Sequence, residues 1–394
     1  MPAILFFTRH APNPDGGGGF HRTYQIFYEL VSAYGEDSIE LPVLRPEIKQ
    51  SHKLKSYYRA ILKRLHILKP VLQRGFSNKV LFNQIIENNQ SGFNFFPQIS
   101  LDLYQDYLET HGVPSLCIMD NPRFLPIIKF NKENGIPSVY CPQNFDSLDL
   151  SAHLLDQAQY CRQCGTSLIY ELEAITHSNQ CLMISKFEAE IFKGLGVEVG
   201  YYPYLPQGEI RRRLINIRSK RMGQSINPSL FFLIGSVNHT TTYESFKWFI
   251  RNCQQYGLPG DIKIVVGGRR SDQLGAEFPP IQGVEFLGQL EQEVLEDYLI
   301  QASAILIPQL SGFGAVTRIA EMACAGIPII VSKHAMHAIT QPPGVIAVDD
   351  NWSDWAQAIN TLKNHQHHPS LADYEAWETK QPKPLLDTVR KYIE

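Results

Sequence analysis

Arg318 and Glu321 are the only charged residues in "GFGAVTRIAEMACAGIPIIV", residues 312–331, a segment otherwise of small and apolar types. A guanidinium and a carboxylate three positions apart, behind Gly312 and Gly314, suit a ligand with an anionic part and a hydroxylated part. The two glycines let backbone approach such a ligand closely. The pattern predicts a helix from about Gly314 to Ala325, stopped by Gly326 and kept from resuming by Pro328. Helical phase then puts Val316, Ile319, Ala320, Ala323 and Cys324 on one side. Gly314, Thr317, Arg318 and Glu321 fall on the other, so both charges are expected on a polar face. The free N–H groups of the first turn, around Ala315 and Thr317, make an anion site. Arg318 adds a charge-assisted pair to a phosphate. Glu321, one turn on, accepts hydrogen bonds from sugar hydroxyls. A diphosphate on the helix start with its ribose against Glu321 uses every one of these groups. The plainer alternative is a surface i,i+3 pair, worth about 0.2–0.5 kcal/mol.

The elements that must position these residues alternate between strand and helix. "AILFFT" (3–8), "PSLCIMD" (114–120), "IPSVYCPQN" (136–144) and "NQCLMIS" (179–185) read as buried strands of an N-terminal domain, residues 1–206. "LFFLIGS", "DIKIVVGG", "GVEFLG", "SAILIPQ", "IPIIVS" and "GVIAVDD" read as six strands of a second domain, residues 229–375. Between them, "QGEIRRRLINIRSKRMGQSINPS" is polar and basic and reads as a linker over 207–228. Residues 376–394 read as a C-terminal helix packing back on the first domain. Short apolar strands separated by helices indicate parallel sheets covered on both faces. The expected class is α/β, with two doubly wound domains facing a cleft. Such sheets bind ligands at their strand C-terminal ends.

Composition bounds the rest. The chain has 394 residues, 44% hydrophobic and 19% charged, with a net charge of −3. No stretch approaches the ~20 apolar residues that span a bilayer. The N-terminus does not read as a signal peptide, and seven cysteines suggest reduced thiols in a cytoplasmic protein. Cys161-x-x-Cys164 has no second pair, only Cys181 and His153 or His177 at unsuitable spacing, so no metal site is expected. No D-x-D occurs.

From Leu230 onward the sequence resembles the nucleotide-sugar-binding domain of retaining GT-B glycosyltransferases of family 4. The resemblance rests on "FFLIGSVNHTTTYESFKWFI", "KIVVGG", "GVEFLGQL" and "ILIPQLSGFGAVTRIAEMACAGIPIIVS", in that order. "GGGGFHRTYQI" and "ELEAITHSNQCLMISKFEAEIFKGLGVEVGYYPYLP" extend it into the first half. The resemblance implies a donor site at Gly235, Ser236, Asn238, His239, Gly267, Arg269, Gly312, Phe313, Gly314, Ala315, Thr317, Arg318 and Glu321. Glu321 matches the second Glu of the family's E-x7-E motif, the ribose ligand. Phe313 stands where the first Glu, the usual sugar-hydroxyl contact, is expected. The chain is nearer a subgroup reading G-x-G-x-x-T-[KR]-x-x-E. Where the family often has Arg and Lys after the first strand of this domain, the chain has "GSVNH", so Arg318 and Arg269 carry more of the diphosphate charge.

In the resembled fold the loop "PDGGGGFHRT" (14–23) borders the reaction centre, which puts Gly17, Gly18, Gly19, His21 and Arg22 beside the acceptor. It reads otherwise as a flexible turn. It is no proper G-x-G-x-x-G, so a dinucleotide site is not expected. Asp120 and Asn144 follow strands at ligand-binding ends. Catalysis is assigned to Arg318, Glu321 and His21. Residues 49–79 hold nine Lys or Arg and no acid, with Leu54, Tyr57, Tyr58, Ile61, Leu62, Leu65 and Leu68 at helical spacing. That pattern reads as an amphipathic anchor for an anionic membrane surface, or as a helix packed on its own domain. No nucleic-acid motif accompanies it.

The expected activity is transfer of a sugar from a nucleoside-diphosphate sugar to a saccharide or lipid-linked acceptor. The nucleotide sugar is a co-substrate, and neither cofactor nor metal is expected. Alternatives are an epimerase or hydrolase of nucleotide sugars on the same fold, and a non-catalytic binding module.

Overall fold

Among the described residues, the apolar runs form two six-stranded, wholly parallel sheets. The computed structural model describes residues 3–42, 101–145, 147, 157–364 and 369–393, with backbone only for 157–164 and 166. The first domain contains β1 (Ile4–Phe7), α1 (Gly18–Tyr34), β2 (Ile39–Glu40), α2 (Leu101–His111), β3 (Leu116–Met119) and α3 (Leu125–Glu133). It continues with β4 (Ser138–Tyr140), α4 (Gln157–His177), β5 (Gln180–Met183), α5 (Lys186–Gly194) and β6 (Gly200–Tyr201). Helix α6 (Gly208–Gly223) leads into the second. This contains β7 (Asn227–Ile234), α7 (Thr240–Tyr256), β8 (Lys263–Gly267), α8 (Ser271–Gly275), β9 (Val284–Gly288) and α9 (Gln292–Gln301). There follow β10 (Ala302–Ile307), α10 (Thr317–Cys324), β11 (Ile329–Ser332), α11 (Lys333–Met336), β12 (Val345–Val348) and α12 (Trp352–Asn364). The chain ends in α13 (Leu371–Thr379) and α14 (Pro384–Ile393).

Strand alternation explains the layers. In the first sheet Leu5, Phe7, Cys117 and Met119 face one core, while Ile4, Phe6, Leu116 and Ile118 face another. Both faces are apolar because both are covered. Ile26 and Leu30 of α1 close the second face, together with Leu385 and Val389 of α14. The C-terminal helix therefore packs on the first domain. In the second sheet Phe232, Ile305 and Val331 pack under α6, α9 and α10. Phe231, Leu306 and Ile330 pack under Phe246 and Phe249 of α7 and Trp355 of α12.

The sheet orders are β2-β1-β3-β4-β5-β6 and β12-β11-β10-β7-β8-β9. In the second, β7 lies between β10 and β8, so successive connections leave it in opposite directions. That reversal opens a crevice at the C-terminal ends of β7 and β10. The residues after those ends are Gly235–His239 and Gln309–Val316, the two stretches singled out from the sequence.

Two findings add to the expectations. The basic stretch read as a linker is helical from Gly208 to Gly223 and packs on α9 and α10. Its charges are not simply solvated. The Arg218 guanidinium donates to the carbonyls of Ala323 (2.7 Å), Cys324 (2.8 Å) and Pro369 (2.6 Å). It thereby caps the C-terminal end of α10, where carbonyls lack helical partners and carry partial negative charge. Arg221 does the same for α9, donating to the carbonyls of Leu299, Ile300 and Ala302 at 2.6–2.9 Å. Secondly, α10 starts at Thr317 rather than Gly314. Gly314 has φ = +76°, which breaks a right-handed helix before it begins. The segment 49–79 and His153 lie outside the described residues, as do the side chains of Cys161 and Cys164.

Candidate active site

The start of α10 faces the start of α1 across the cleft. A Cβ on Gly18 would lie 2.8 Å from Thr317 Oγ1. A side chain at this position would have to displace the Thr317 hydroxyl. Neither start has a side-chain cap. Two sets of N–H groups, each at the positive end of a helix dipole, therefore point toward the same region. Helix α1 begins at Gly18, so Gly18 and Gly19 of the stretch expected as a loop lie in its first turn.

Arg318 lies beside this region. It is part-buried, and its Nη1 is closed to solvent with no hydrogen-bond partner among the described residues. A Cβ on Gly235 would lie 2.5 Å from that nitrogen. Burial lowers the Arg318 pKa to about 10, partly opposed by Glu321, so the group remains cationic at neutral pH. Gly235 in turn is pinned by its N–H to the Gly267 carbonyl (3.0 Å). Gly268, at φ = +120°, packs so tightly on Gly235 that no side chain fits. Gly268 was missed in the sequence; the expected Gly267 acts through its backbone carbonyl. Ser236 is part-buried, and Asn238, His239 and Arg269 are exposed at the mouth of the crevice. Arg269 uses its carbonyl to accept from Val237 N–H (3.1 Å).

Glu321 is not on an open polar face. It is 7% exposed, and α10 is buried from Ile319 to Cys324. Helical phase correctly turns it from the second domain's core, but α1 of the first domain covers that side. Its Oε1 lies 2.7 Å from His21 Nδ1 and accepts from the Tyr204 hydroxyl at 3.0 Å. Burial alone would lower the His21 pKa, but the charge and hydrogen bond of Glu321 outweigh it and raise the value, with the Pro14 carbonyl helping. Burial likewise favours a neutral Glu321, yet His21, Tyr204 and Arg318 bring its pKa down. Both directions describe an imidazolium–carboxylate pair spanning the cleft.

The loop before α10 is held from several sides. Leu310 N–H donates to Ser245 Oγ (3.1 Å), and Gln309 N–H donates to Ser332 Oγ (2.9 Å). His334 Nε2 lies 2.9 Å from the Gly312 carbonyl. From the first domain, Glu188 Oε1 accepts from Gly314 N–H at 2.6 Å. The sequence Ser185-x-x-Glu188 suggests a capping box, in which this carboxylate would turn back on its own helix. Ser185 does accept from Glu188 N–H (3.3 Å), but the carboxylate crosses the cleft instead. Phe313 packs against the first domain's core cluster. Asn144 meets Gly314, where a Cβ would lie 2.7 Å from its own. Ala315 and Thr317 are part-buried along the same edge.

Two expected acceptor residues serve the scaffold. Asp120, 1% exposed, accepts from Thr8 Oγ1 (2.7 Å), Arg9 N–H (2.9 Å), Thr23 Oγ1 (3.0 Å) and Gln143 Nε2 (3.1 Å). It ties β1, α1 and the β4 loop together, and no face is left for an acceptor. Arg22, also 1% exposed, donates to Gln25 and to the carbonyls of Tyr202 and Pro203, with its guanidinium 4.0 Å from the Tyr202 ring centre. It points into the domain because His21, one position earlier, takes the cleft side of α1. Gly19 abuts Gln143, and Gly17 has no neighbour that would exclude a side chain. Among the described residues no group of three or more His, Cys, Asp or Glu could hold a metal. No described helix is long and apolar enough to cross a membrane.

No protein-family model and no curated protein matches the sequence. Solved structures match it over nearly the whole length. Anabaena HepE in complex with UDP superposes with a TM-score of 0.57 at 12% identity, over 99% of this chain and 98% of that one. The sucrose-phosphate synthase of Thermosynechococcus elongatus gives 0.57 at 15% identity, over 99% and 95%. TarM gives 0.54 at 10% identity, over 100% and 95%. These are GT-B structures, and the chain has that fold, two Rossmann-like domains about a cleft.

Proposed function

We propose that the chain is a glycosyltransferase that takes a sugar from a nucleoside-diphosphate sugar. One observation carries this reading. A buried guanidinium nitrogen without a partner, Arg318 Nη1, lies between Gly235 and the start of α10 at the sheet's reversal point. A cation there calls for an anion. The facing helix starts provide N–H donors for a group with several oxygens, as a diphosphate has. Glu321 Oε2, one turn along α10, would take a ribose hydroxyl while Oε1 keeps its partners. HepE, of the same fold, has been solved with UDP and with UDP-glucose, which supports a nucleotide sugar as the ligand class.

The reaction breaks the bond between the anomeric carbon and the diphosphate oxygen. The acceptor hydroxyl oxygen bonds that carbon, and its proton passes to the departing diphosphate. Arg318 and the helix starts would stabilise the charge that develops on the diphosphate, without a metal. Closing of the cleft on the donor would exclude water that otherwise competes as acceptor. The sequence resemblance supports, as part of this proposal, retention of configuration and membership of family 4. The acceptor would be a saccharide or glycolipid held on the first domain. Residues 49–79 would bring that domain to an anionic surface at the cytoplasmic face of a membrane.

Calorimetric titration with UDP and with GDP tests the reading. One of them should bind at or below millimolar concentration, and Arg318→Ala should weaken it tenfold or more, about the effect of losing one charge-assisted contact. Absence of binding by either nucleotide would refute the reading.

A further inference from the structure

Arg318 and Glu321 stand at i and i+3 on α10, a spacing at which opposite charges ordinarily pair. Here they do not. The Glu321 carboxylate goes to His21 at 2.7 Å and to the Tyr204 hydroxyl at 3.0 Å, and Arg318 Nη1 is left buried without a partner. The two donors to Glu321 differ in origin. His21 lies on α1 of the first domain, whereas Tyr204, on the segment from β6 to α6, is buried in the core beneath the second sheet.

We propose that His21 and Tyr204 are positioning residues that hold Glu321 off Arg318, so that domain closure makes Arg318 an anion receptor and opening abolishes it. This rests on the reading of the α10 start as the diphosphate site. With the domains apart, Glu321 loses His21, and the nearest cation left is Arg318 on its own helix. The two then pair, the guanidinium is neutralised, and a diphosphate is held less tightly. With the domains together, the carboxylate has a cation and a hydroxyl of its own, and Arg318 is free to bind. The exchange couples closure to ligand capture and opening to product release. It needs no movement of α10, only a change of partner by one side chain. The tight approach of Gly18 to Thr317 brings α1 near enough for the exchange.

A simpler role for His21 is as a clamp between the domains. The two are separated by titrating inorganic pyrophosphate into the full chain, so that ribose contacts play no part. His21→Ala should weaken pyrophosphate binding about tenfold, within the usual range of couplings between sites. Tyr204→Phe should weaken it by less. In the double variant His21→Ala/Glu321→Ala the competing carboxylate is gone, and most of the affinity should return. A clamp predicts no such rescue, because the double variant lacks the clamp too. The proposal is overturned if His21→Ala binds like wild type, or if the double variant stays as weak as His21→Ala. Should His21→Ala not fold, His21→Gln supports the same comparison. Wild type binding UDP but not pyrophosphate would overturn the proposal and leave the nucleotide reading standing. Wild type binding neither would overturn both.

Discussion

His21 Nδ1 and Glu321 Oε1 lie 2.7 Å apart, although 300 residues separate them in the chain. One belongs to the first helix of the first domain, the other to the helix that follows β10, one of the two strands at the switch point of the second. Two Rossmann-like units are thus joined at their ligand-binding ends by a largely buried ion pair, and the behaviour of the cleft depends on its charge.

That dependence has a sign. The His21 pKa is raised above 6.5 in the folded chain, so its contribution to stability is full below 6.5 and is lost as pH rises through the folded value. The Glu321 pKa is lowered below 4.5, so its contribution is present above 4.5 and is lost as pH falls through the folded value. The pair should therefore hold best in mildly acidic solution, roughly between those limits. Arg213 opposes the His21 charge without reversing the direction. Comparing thermal unfolding of wild type and His21→Gln across pH checks this. The stability advantage of wild type should shrink on the alkaline side; an advantage independent of pH would contradict a charged pair.

Gly235 is predicted to be intolerant of a methyl group for two reasons. Its Cβ would lie 3.0 Å from Phe246 Cζ and Thr242 Cγ2, a crowding that costs about 1–3 kcal/mol. It would also lie 2.5 Å from Arg318 Nη1, whose flexible side chain would swing aside. Gly235→Ala should therefore lose nucleotide affinity beyond what its lower stability explains. Unfolding in urea and nucleotide titration, run on the same sample, separate the two effects.

Arg218→Met should destabilise the second domain by about 2–4 kcal/mol, because three carbonyls lose charge-assisted donors while the alkyl stem is largely kept. The midpoint of urea denaturation reads the change. An effect below half a kilocalorie per mole would mean that the cap is dispensable.

Asp120→Asn replaces one accepting oxygen with an NH2 group among groups that donate to it. The Arg9 N–H cannot reverse its role, so a loss of about 1–3 kcal/mol is expected. The melting temperature should fall. If Asp120 touched the acceptor directly, the variant would instead keep its stability and lose activity.

Much of the fold could be read from the sequence because its strands are buried on both faces. "LFFLIGS" and "SAILIPQ" are continuous apolar runs with little else they could form. Helical phase separated Glu321 from the second domain's core. It could not show that a helix three hundred residues earlier would cover the other side. The basic run 207–229 reads only as a polar linker because composition cannot distinguish an exposed arginine from one that caps buried carbonyls, as Arg218 does. Arg22 was misplaced for a related reason: one step along α1 turns a side chain from the cleft to the interior. Phe313, awkward where a carboxylate was expected, is accounted for by its packing on the first domain.

The central claim is transfer of a sugar from a nucleotide donor with Arg318 bearing the departing diphosphate. The most direct measurement incubates the full chain with radiolabelled nucleotide sugars, UDP- and GDP-linked, in a cell extract as the source of acceptor. Label should appear in a saccharide or lipid fraction with wild type and be lost with Arg318→Ala. Label released only as free sugar, or found only in an epimerised nucleotide sugar, would contradict it.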